Sequence, residues 1–488
     1  MKKKHLLAAL ALMVSSTTFA GGLLTNTNQN VAFLRNPARD AVIAIDGVYS
    51  NPAGVAFLPK GFHLSLNWQA AWQKREMISS APFYGFNQNN KGITENGLTY
   101  NKYVGTASAP VIPSFQAAYV INDKWSVSAQ FAVGGGGGKC EFDNGLPMFE
   151  QLVGGQMGST IAGAVPYSYG FNQNLIGEQY FYGIQVGATY KICDKVSVFA
   201  GARGIIAKSG YEGAITNINV NGATAAVYTE KMNGAIAMAQ NYKNQAEQAL
   251  AAGNVAAAQQ LGAAAQAYAD GATAAGTAAF TMSDYTLNCQ QSGLGITPIL
   301  GIDVNLGKLN LAAKYEFRTK IEMENESTNS ANVDKLMPAY ADGAKVRSDI
   351  PALLTLGAQY SVMDNFRLMG GFHYYFDKDA KGSATNVAHN TWEVTFGTEY
   401  DVNKWLTLSC GGQRTKYNFG SDMQDTNFNI SSYGLCLGAK AQLCKVLAMN
   451  IGYMHSFYGS KEIERGNGIT DRYTRKNDVV GISLDFKF

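Results

Sequence analysis

The stretch KLNLAAKYEFRTKIE, residues 308–322, alternates in character from one residue to the next. Leu309, Leu311, Ala313, Tyr315 and Phe317 fall on one side of an extended chain. Asn310, Ala312, Lys314, Glu316 and Arg318 fall on the other. Successive strand residues point to opposite faces, so this stretch predicts a strand with one face for an apolar medium and one for a polar medium. Gly307 precedes it, and residues 293–306 repeat the alternation before that glycine, which predicts a tight hairpin.

Working outward, the same paired pattern recurs along the chain. The pairs are 111–121 with 125–133, 178–192 with 195–207, 293–306 with 308–322, 349–362 with 366–376, 390–401 with 405–418, and 430–442 with 446–457. Residues 61–75 open the series and 477–488 close it, which makes fourteen strands. In 390–401, Trp392, Val394, Phe396 and Tyr400 alternate with Glu393, Thr395 and Glu399. The connections alternate as well. Six are turns of a few residues, and seven are loops: 76–110, 134–177, 208–292, 323–348, 377–389, 419–429 and 458–476. Short turns on one rim, long loops on the other and an even strand number predict an all-β, 14-stranded antiparallel transmembrane β-barrel over 61–488. A soluble sandwich has shorter strands and does not segregate its loops in this way.

Composition agrees. Only 15% of residues are charged, against about a quarter in a soluble domain. The opening MKKKHLLAALALMVSSTTFA has a lysine cluster, a short apolar run and small residues, the pattern of a secretory signal peptide over 1–20. Its three lysines account for the whole formal charge of +3, so the expected mature chain is neutral and implies no nucleic-acid partner. The chain ends GISLDFKF, with Val480, Ile482, Leu484, Phe486 and Phe488 on one face.

Two regions depart from the strand pattern. Within the long outer loop 208–292, residues 233–251 and 254–274 are rich in Ala, Gln and Glu and predict a helical hairpin turning at Gly253-Asn254. Ahead of the first strand, residues 21–60 contain DGVYSNPAGVAF at 46–57 and a second Asn-Pro-Ala at 36–38. Turn formers mixed with apolar residues suit a compact segment that buries itself against something. A fourteen-strand barrel has a lumen wide enough to need filling, so 21–60 is expected to form a hatch that plugs it.

Motifs for chemistry are sparse. The run VGGGGGKC, 133–140, lacks the glycine six places before the lysine and the hydroxyl after it that a phosphate loop needs. It reads instead as the start of a loop. Four histidines remain in the mature chain, His63, His373, His389 and His455, without metal spacing. No nucleophile-elbow motif occurs. The expectation is a non-enzyme with no metal and no cofactor. Cys140 and Cys289 lie in adjacent predicted outer loops within reach of pairing, whereas alternation puts Cys410 and Cys436 on opposite faces.

Signal peptide, a forty-residue hatch carrying Asn51-Pro52-Ala53, and fourteen strands ending in Phe488 resemble the FadL/TodX family of outer-membrane long-chain fatty-acid transporters. The resemblance implies residence in the bacterial outer membrane among lipid and lipopolysaccharide, as a single barrel. It also implies capture of hydrophobic small molecules by the outer loops, a pocket in the lumen, and exit through the wall when the hatch shifts. Long-chain fatty acids are the expected cargo, with an aromatic hydrocarbon or another lipid as the alternative, and a surface ligand-binding barrel as a third reading. Burial of a dozen methylenes at about 0.8 kcal/mol each supplies the affinity for an acyl chain. Its carboxylate needs a cation, and Lys314, Arg318 and Arg203 are the candidates on the polar face. The family's side opening belongs to a kink in the third strand. Here Trp125, Val127, Ala129, Phe131 and Val133 alternate without interruption, so any break is expected at the glycine run from Gly134.

Overall fold

The computed structural model describes residues 24–158, 168–382, 387–418 and 428–488. The expected signal peptide, residues 21–23 and parts of the outer loops 134–177, 377–389 and 419–429 lie outside the described residues.

Fourteen antiparallel strands close into a barrel. The first seven are β1 Gly61–Ser80, β2 Leu98–Val120, β3 Trp125–Phe142, β4 Tyr169–Cys193, β5 Val196–Val220, β6 Tyr285–Asn305, and β7 in two pieces, Leu309–Glu316 and Glu322–Ser327. They are followed by β8, also in two pieces, Lys345–Arg347 and Leu353–Met363, then β9 Phe366–Tyr375, β10 Thr391–Asp401, β11 Leu406–Lys416, β12 Ser432–Cys444, β13 Leu447–Tyr458 and β14 Ile469–Lys487. Each strand pairs with its sequence neighbours. β14 closes the ring against β1 in unbroken register from His63 opposite Lys487 to Ser80 opposite Thr470. The short turns are fixed by local chemistry: Asn122 accepts from the backbone N–H groups of Lys124 and Trp125, and Asn403 from those of Trp405 and Leu406, all at 2.9 Å.

The two faces separate as the alternation predicts. Leu66, Trp68, Ile184, Val186, Leu294, Ile296, Val394, Phe396, Leu435 and Ile482 are exposed on the outside. Ser65, Asn67, Gln185, Thr297, Glu393, Thr395 and Ser483 are buried inside. Aromatic side chains ring the short-turn rim: Phe62, Trp125, Tyr400, Trp405 and Phe488 are exposed there, with Phe62 and Phe488 stacked at 6.3 Å. Ten residues higher on β1 sits Trp72, also exposed. At about 3.3 Å per residue and a tilt near 40°, the interval is roughly 25 Å of height, the apolar thickness of such a barrel.

Above the apolar band the strands run further than their alternation foretold. β1 continues to Ser80, β2 starts at Leu98 and β4 at Tyr169. There the wall leaves the apolar medium, so the contrast between faces fades while backbone pairing persists. The glycine run 134–138, expected as loop, lies within β3. Gly136 and Gly138 take φ of +79° and +77° and open two register shifts against β4, a conformation glycine adopts without strain. All six cysteines are free. Cys140 and Cys289 stand on β3 and β6 and are not bridged, while Cys410 and Cys436 occupy opposite faces as alternation requires.

Short helices α1 (Val31–Arg35) and α2 (Gly47–Ser50) lie before β1, and α3 (Pro147–Glu150) lies between β3 and β4. Between β5 and β6 stand two long helices, α4 (Ala225–Ala251) and α5 (Val255–Thr281). Thr224 and Asn254 cap them through side-chain bonds to the N–H groups of Val227 and Ala257. Gly253 turns between them with φ +76°. Tyr242 stacks on Tyr268 at 5.4 Å, and Ala272 is their single buried residue. Replacing 225–281 by a short Gly-Ser turn should therefore leave the barrel folded, with the heat-modifiable gel migration of the intact protein. Loss of that migration would show that the hairpin supports the wall.

Candidate functional site

The segment ahead of β1 is built from one repeated device. Asn30 caps α1, accepting from the N–H of Ala32 at 2.7 Å; Asn36 accepts from Ala38 at 3.0 Å, and Asn51 from Gly54 at 3.2 Å. In the second and third cases proline follows the asparagine and fixes the turn. Residues 24–58 are almost entirely buried. α1 packs on β1 and β11–β14, and the turn Pro52–Phe57 packs on β2–β7.

The wall makes room for this segment with glycine. Seven strands in succession, β8 to β14, present Gly357, Gly371, Gly397, Gly411, Gly438, Gly452 and Gly481. A Cβ at any of them would lie within 3 Å of Asp40, Asn36, Pro37, Arg35, Leu34 or Val31. All seven face another glycine of the track across strands, as 357 with 371, 397 with 411, 438 with 452, and 452 with 481. Together they form a track in which residues 31–41 lie directly against the wall backbone.

Buried charges fix the segment on that track. Glu399 takes Arg35 at 2.5 Å and Arg39 at 2.7 Å, and Arg39 also holds Asp46 through two bonds of 2.8 and 2.9 Å. Arg367 approaches Glu399 from the wall at 3.4 Å. His373 stands between Asp40 of the segment, at 3.0 Å, and Glu393 of β10, at 2.7 Å. Thr415 donates to the other Glu393 oxygen at 2.6 Å. On the opposite wall, Asn51 donates to Asp303 at 2.5 Å, while Asn310 donates to Asp303 and to the Ala41 carbonyl at 2.8 and 2.7 Å.

The three predicted cations are distributed unequally. Arg203 and Lys314 converge on Glu316, at 2.6 and 2.8 Å, under the segment. Lys314 also donates to the Tyr49 carbonyl at 2.8 Å and lies 4.0 Å over the Tyr49 ring. Arg318 is not part of this group. It lies in the break of β7, about a third exposed, near Asp349 at 3.9 Å and bonded to the Asp379 carbonyl. Asn51, Pro52 and Ala53 are all buried: Thr189 donates to the Pro52 carbonyl at 2.9 Å, Ser197 to the Ala53 carbonyl at 2.7 Å, and Ala53 packs on Phe199 and Ile299.

Besides the split in β7 and β8, the wall is interrupted between β2 and β3. Pairing runs from Val120 opposite Ser126 to Phe115 opposite Phe131, stops, and resumes at Ala107 opposite Cys140. Both sides of the interruption are written in residue type. β2 carries Pro110 and Pro113, which have no N–H for a ladder, and β3 carries the glycine run. The first described residues cover this gap. The Asn26 N–H donates to the Gly134 carbonyl at 2.9 Å, and its side chain donates to Val133 and Gly136 at 3.3 and 3.0 Å. From β2, Ser114 and Gln116 donate to the Gln29 carbonyl at 2.8 and 3.1 Å.

Above the gap the outer loops close over an apolar cluster that includes Tyr103, Phe142, Phe149, Leu152, Tyr169 and Tyr473. Glu150 is buried within it, accepting from Asn87, Asn101, Tyr169 and Tyr103. Burial pushes its carboxyl above the usual carboxylate range, against the pull of those hydrogen bonds. Just below, Arg75 and Arg475 face one another across β1 and β14, both buried, beneath the rings of Phe428 and Tyr458 at 5.5 and 4.8 Å. Sequence reasoning missed these two arginines, Glu399, His373 and the glycine track. The regular recurrence of one inward glycine per late strand was the available signal.

No family model matches the chain, and no curated protein matches it. Solved structures do. A Pseudomonas aeruginosa FadL homologue aligns over 95% of this chain and 99% of its own, with a TM-score of 0.62 and 13% identity. The Pseudomonas putida toluene transporter TodX aligns over 91% and 94%, with a TM-score of 0.57 and 12% identity. A second structure of that toluene transporter covers 96% and 99%, with a TM-score of 0.53 and 14% identity.

The seat makes a direct prediction. Glu399→Gln leaves Arg35 and Arg39 without their shared carboxylate, a loss of about 3–5 kcal/mol for a broken buried pair. Trypsin should then cut after Arg35 or Arg39 in the folded barrel much faster than in the parent, and an unchanged rate would show that the glycine track alone holds the segment. In the architecture of its fourteen closed strands, the chain has the fold of the FadL/TodX-type outer-membrane barrels.

Proposed function

We propose that the protein is a passive transporter of hydrophobic small molecules across the bacterial outer membrane, with residues 21–60 as its hatch. The observation that carries this reading is the break between β2 and β3, lying under an apolar outer cluster and covered by residues 24–29 of the hatch. A molecule taken up among the outer-loop aromatics reaches the lumen wall beside a place where the backbone ladder is missing. Withdrawal of Asn26 and Gln29 uncovers that place, and an apolar cargo leaves sideways into lipid. The transport needs no cofactor and no energy source, since the cargo moves down its own gradient between apolar surroundings. The barrel acts singly and without catalysis.

Long-chain fatty acids are the first cargo to test. Arg75 and Arg475, buried at one register position next to the apolar cluster, supply positive potential for a carboxylate on the inward path. Aromatic hydrocarbons are the second, favoured by a different observation: Arg203 and Lys314 already hold Glu316, so a cargo carboxylate reaching them has to displace an internal one. An uncharged cargo avoids that cost. A named toluene transporter shares the fold.

The exit route can be closed chemically. A Cβ built on Gly138 lies 3.6 Å from the Cβ of Ala109 across the gap, within the range a disulfide spans. Cells carrying Ala109→Cys with Gly138→Cys should take up labelled oleate or toluene after reduction and lose that uptake on oxidation. Each single-cysteine variant should be indifferent to both treatments. Uptake that persists in the fully cross-linked barrel would contradict a lateral exit. Absence of uptake for both cargoes in the correctly assembled parent would remove hydrophobic transport itself.

A further inference from the structure

A cavity of about 1220 Å³ lies at the outer end of the barrel, bordered by the lipid-side face of β1, β2 and β14. Ile78 of β1, Lys102 of β2 and Arg472 of β14 stand side by side in register on that face, and Ser80, Tyr100 and Thr470 form the next row. Their positions on β1 begin six residues beyond Trp72, roughly 15 Å above that aromatic girdle at strand rise and tilt. This is the depth of lipid headgroups. The loop at residues 87–95 folds over the rows and completes the cavity.

Its lining is unusual in composition. Asn89, Asn144, Asn172 and Gln173 bring four amides to one space, while Asn87 and Asn101 border it with their amides turned to Glu150. An amide presents both donors and an acceptor, which suits hydroxyl groups that need both. Lys102 is engaged with Glu76 at 2.8 Å. Lys91 and Arg472 are exposed and make no ion pair among the described residues. Glu95, Asp143 and Glu462 also line the space, so it is not a simple anion trap. Carboxylates accept from sugar hydroxyls as readily as amides do. Ile93 and Leu98, 73% and 47% exposed, add apolar contact at the rim.

We propose that this cavity binds the phosphorylated sugar headgroup of a glycolipid in the outer leaflet. The amides and carboxylates take the sugar hydroxyls, Lys91 and Arg472 take phosphate, and Ile93 and Leu98 meet the lipid-linked side of the ligand. Depth above the aromatic girdle and the two exposed apolar residues favour a lipid-anchored ligand over a free sugar phosphate.

The test uses the full barrel in detergent, with purified lipopolysaccharide as probe and the double variant Lys91→Ala, Arg472→Ala beside the parent. Both side chains are exposed, and the heat-modifiable migration of the variant verifies that it is folded. Lipopolysaccharide should bind the parent and bind the variant at least about tenfold more weakly, the scale of losing charge-assisted hydrogen bonds. The deacylated phosphosugar should bind the parent detectably but less tightly than the intact glycolipid. Equal binding of parent and variant overturns the site, as does phosphatidylglycerol binding as tightly as lipopolysaccharide. A deacylated sugar that binds as tightly as the glycolipid overturns the lipid-anchored source.

Discussion

The structure depends on how closely the backbone of residues 31–41 approaches the inner wall. A barrel of fourteen strands cannot fill its lumen with its own side chains, and a polypeptide laid across that lumen must bury polar backbone somewhere. The glycine track from Gly357 to Gly481 lets it do so in contact with the wall, where the segment's asparagines and the wall's polar side chains satisfy one another. Any side chain larger than hydrogen on the track lifts the segment away. The inward charges then have a defined geometry, because the segment can lie at only one height.

Those charges are a costly way to hold two elements together. Burying a carboxylate and two guanidinium groups gains little over apolar packing of equal volume. Its value is in position: Glu399 and Asp303 accept from groups that only one placement of the segment supplies, and the same placement brings Asp40 to His373 of the wall. Polar contacts also release without leaving a greasy surface inside the lumen. An apolar plug would be harder to withdraw. The same segment covers the wall gap with Asn26 and Gln29, so the seat and the cover of the gap are parts of one continuous chain.

Much of this was legible in the sequence. Alternation placed all fourteen strands, because each has one face in an apolar medium, and the turn residues fixed their pairing. The helical hairpin was legible from composition, though each helix runs further than the Ala-rich core suggested, to Ala225 and Thr281. The wall break was narrowed to the glycine run from Gly134, where pairing with β2 is absent. What failed did so for physical reasons. The run was taken for loop because glycine carries no facing preference, yet its backbone still pairs with β4. Lys314 and Arg203 were chosen as inward cations, but alternation says nothing about Glu316 claiming both. Arg475 lies outside the stretch 477–488 that alternation marks as strand, so the register that sets it opposite Arg75, the last residue of 61–75, is not legible. The wall contacts of Arg35, Arg39 and Asp40 are made with residues hundreds of positions away, and one sequence does not reveal them.

The central claim is that residues 24–58 occupy the lumen as its plug. Ion conductance in a planar bilayer tests it most directly, comparing the intact barrel with one that begins at residue 59. The account predicts no steady current through the intact protein and a stable ohmic current through the shortened one, of the size expected for an open fourteen-strand lumen. Equal conductance in the two would contradict it.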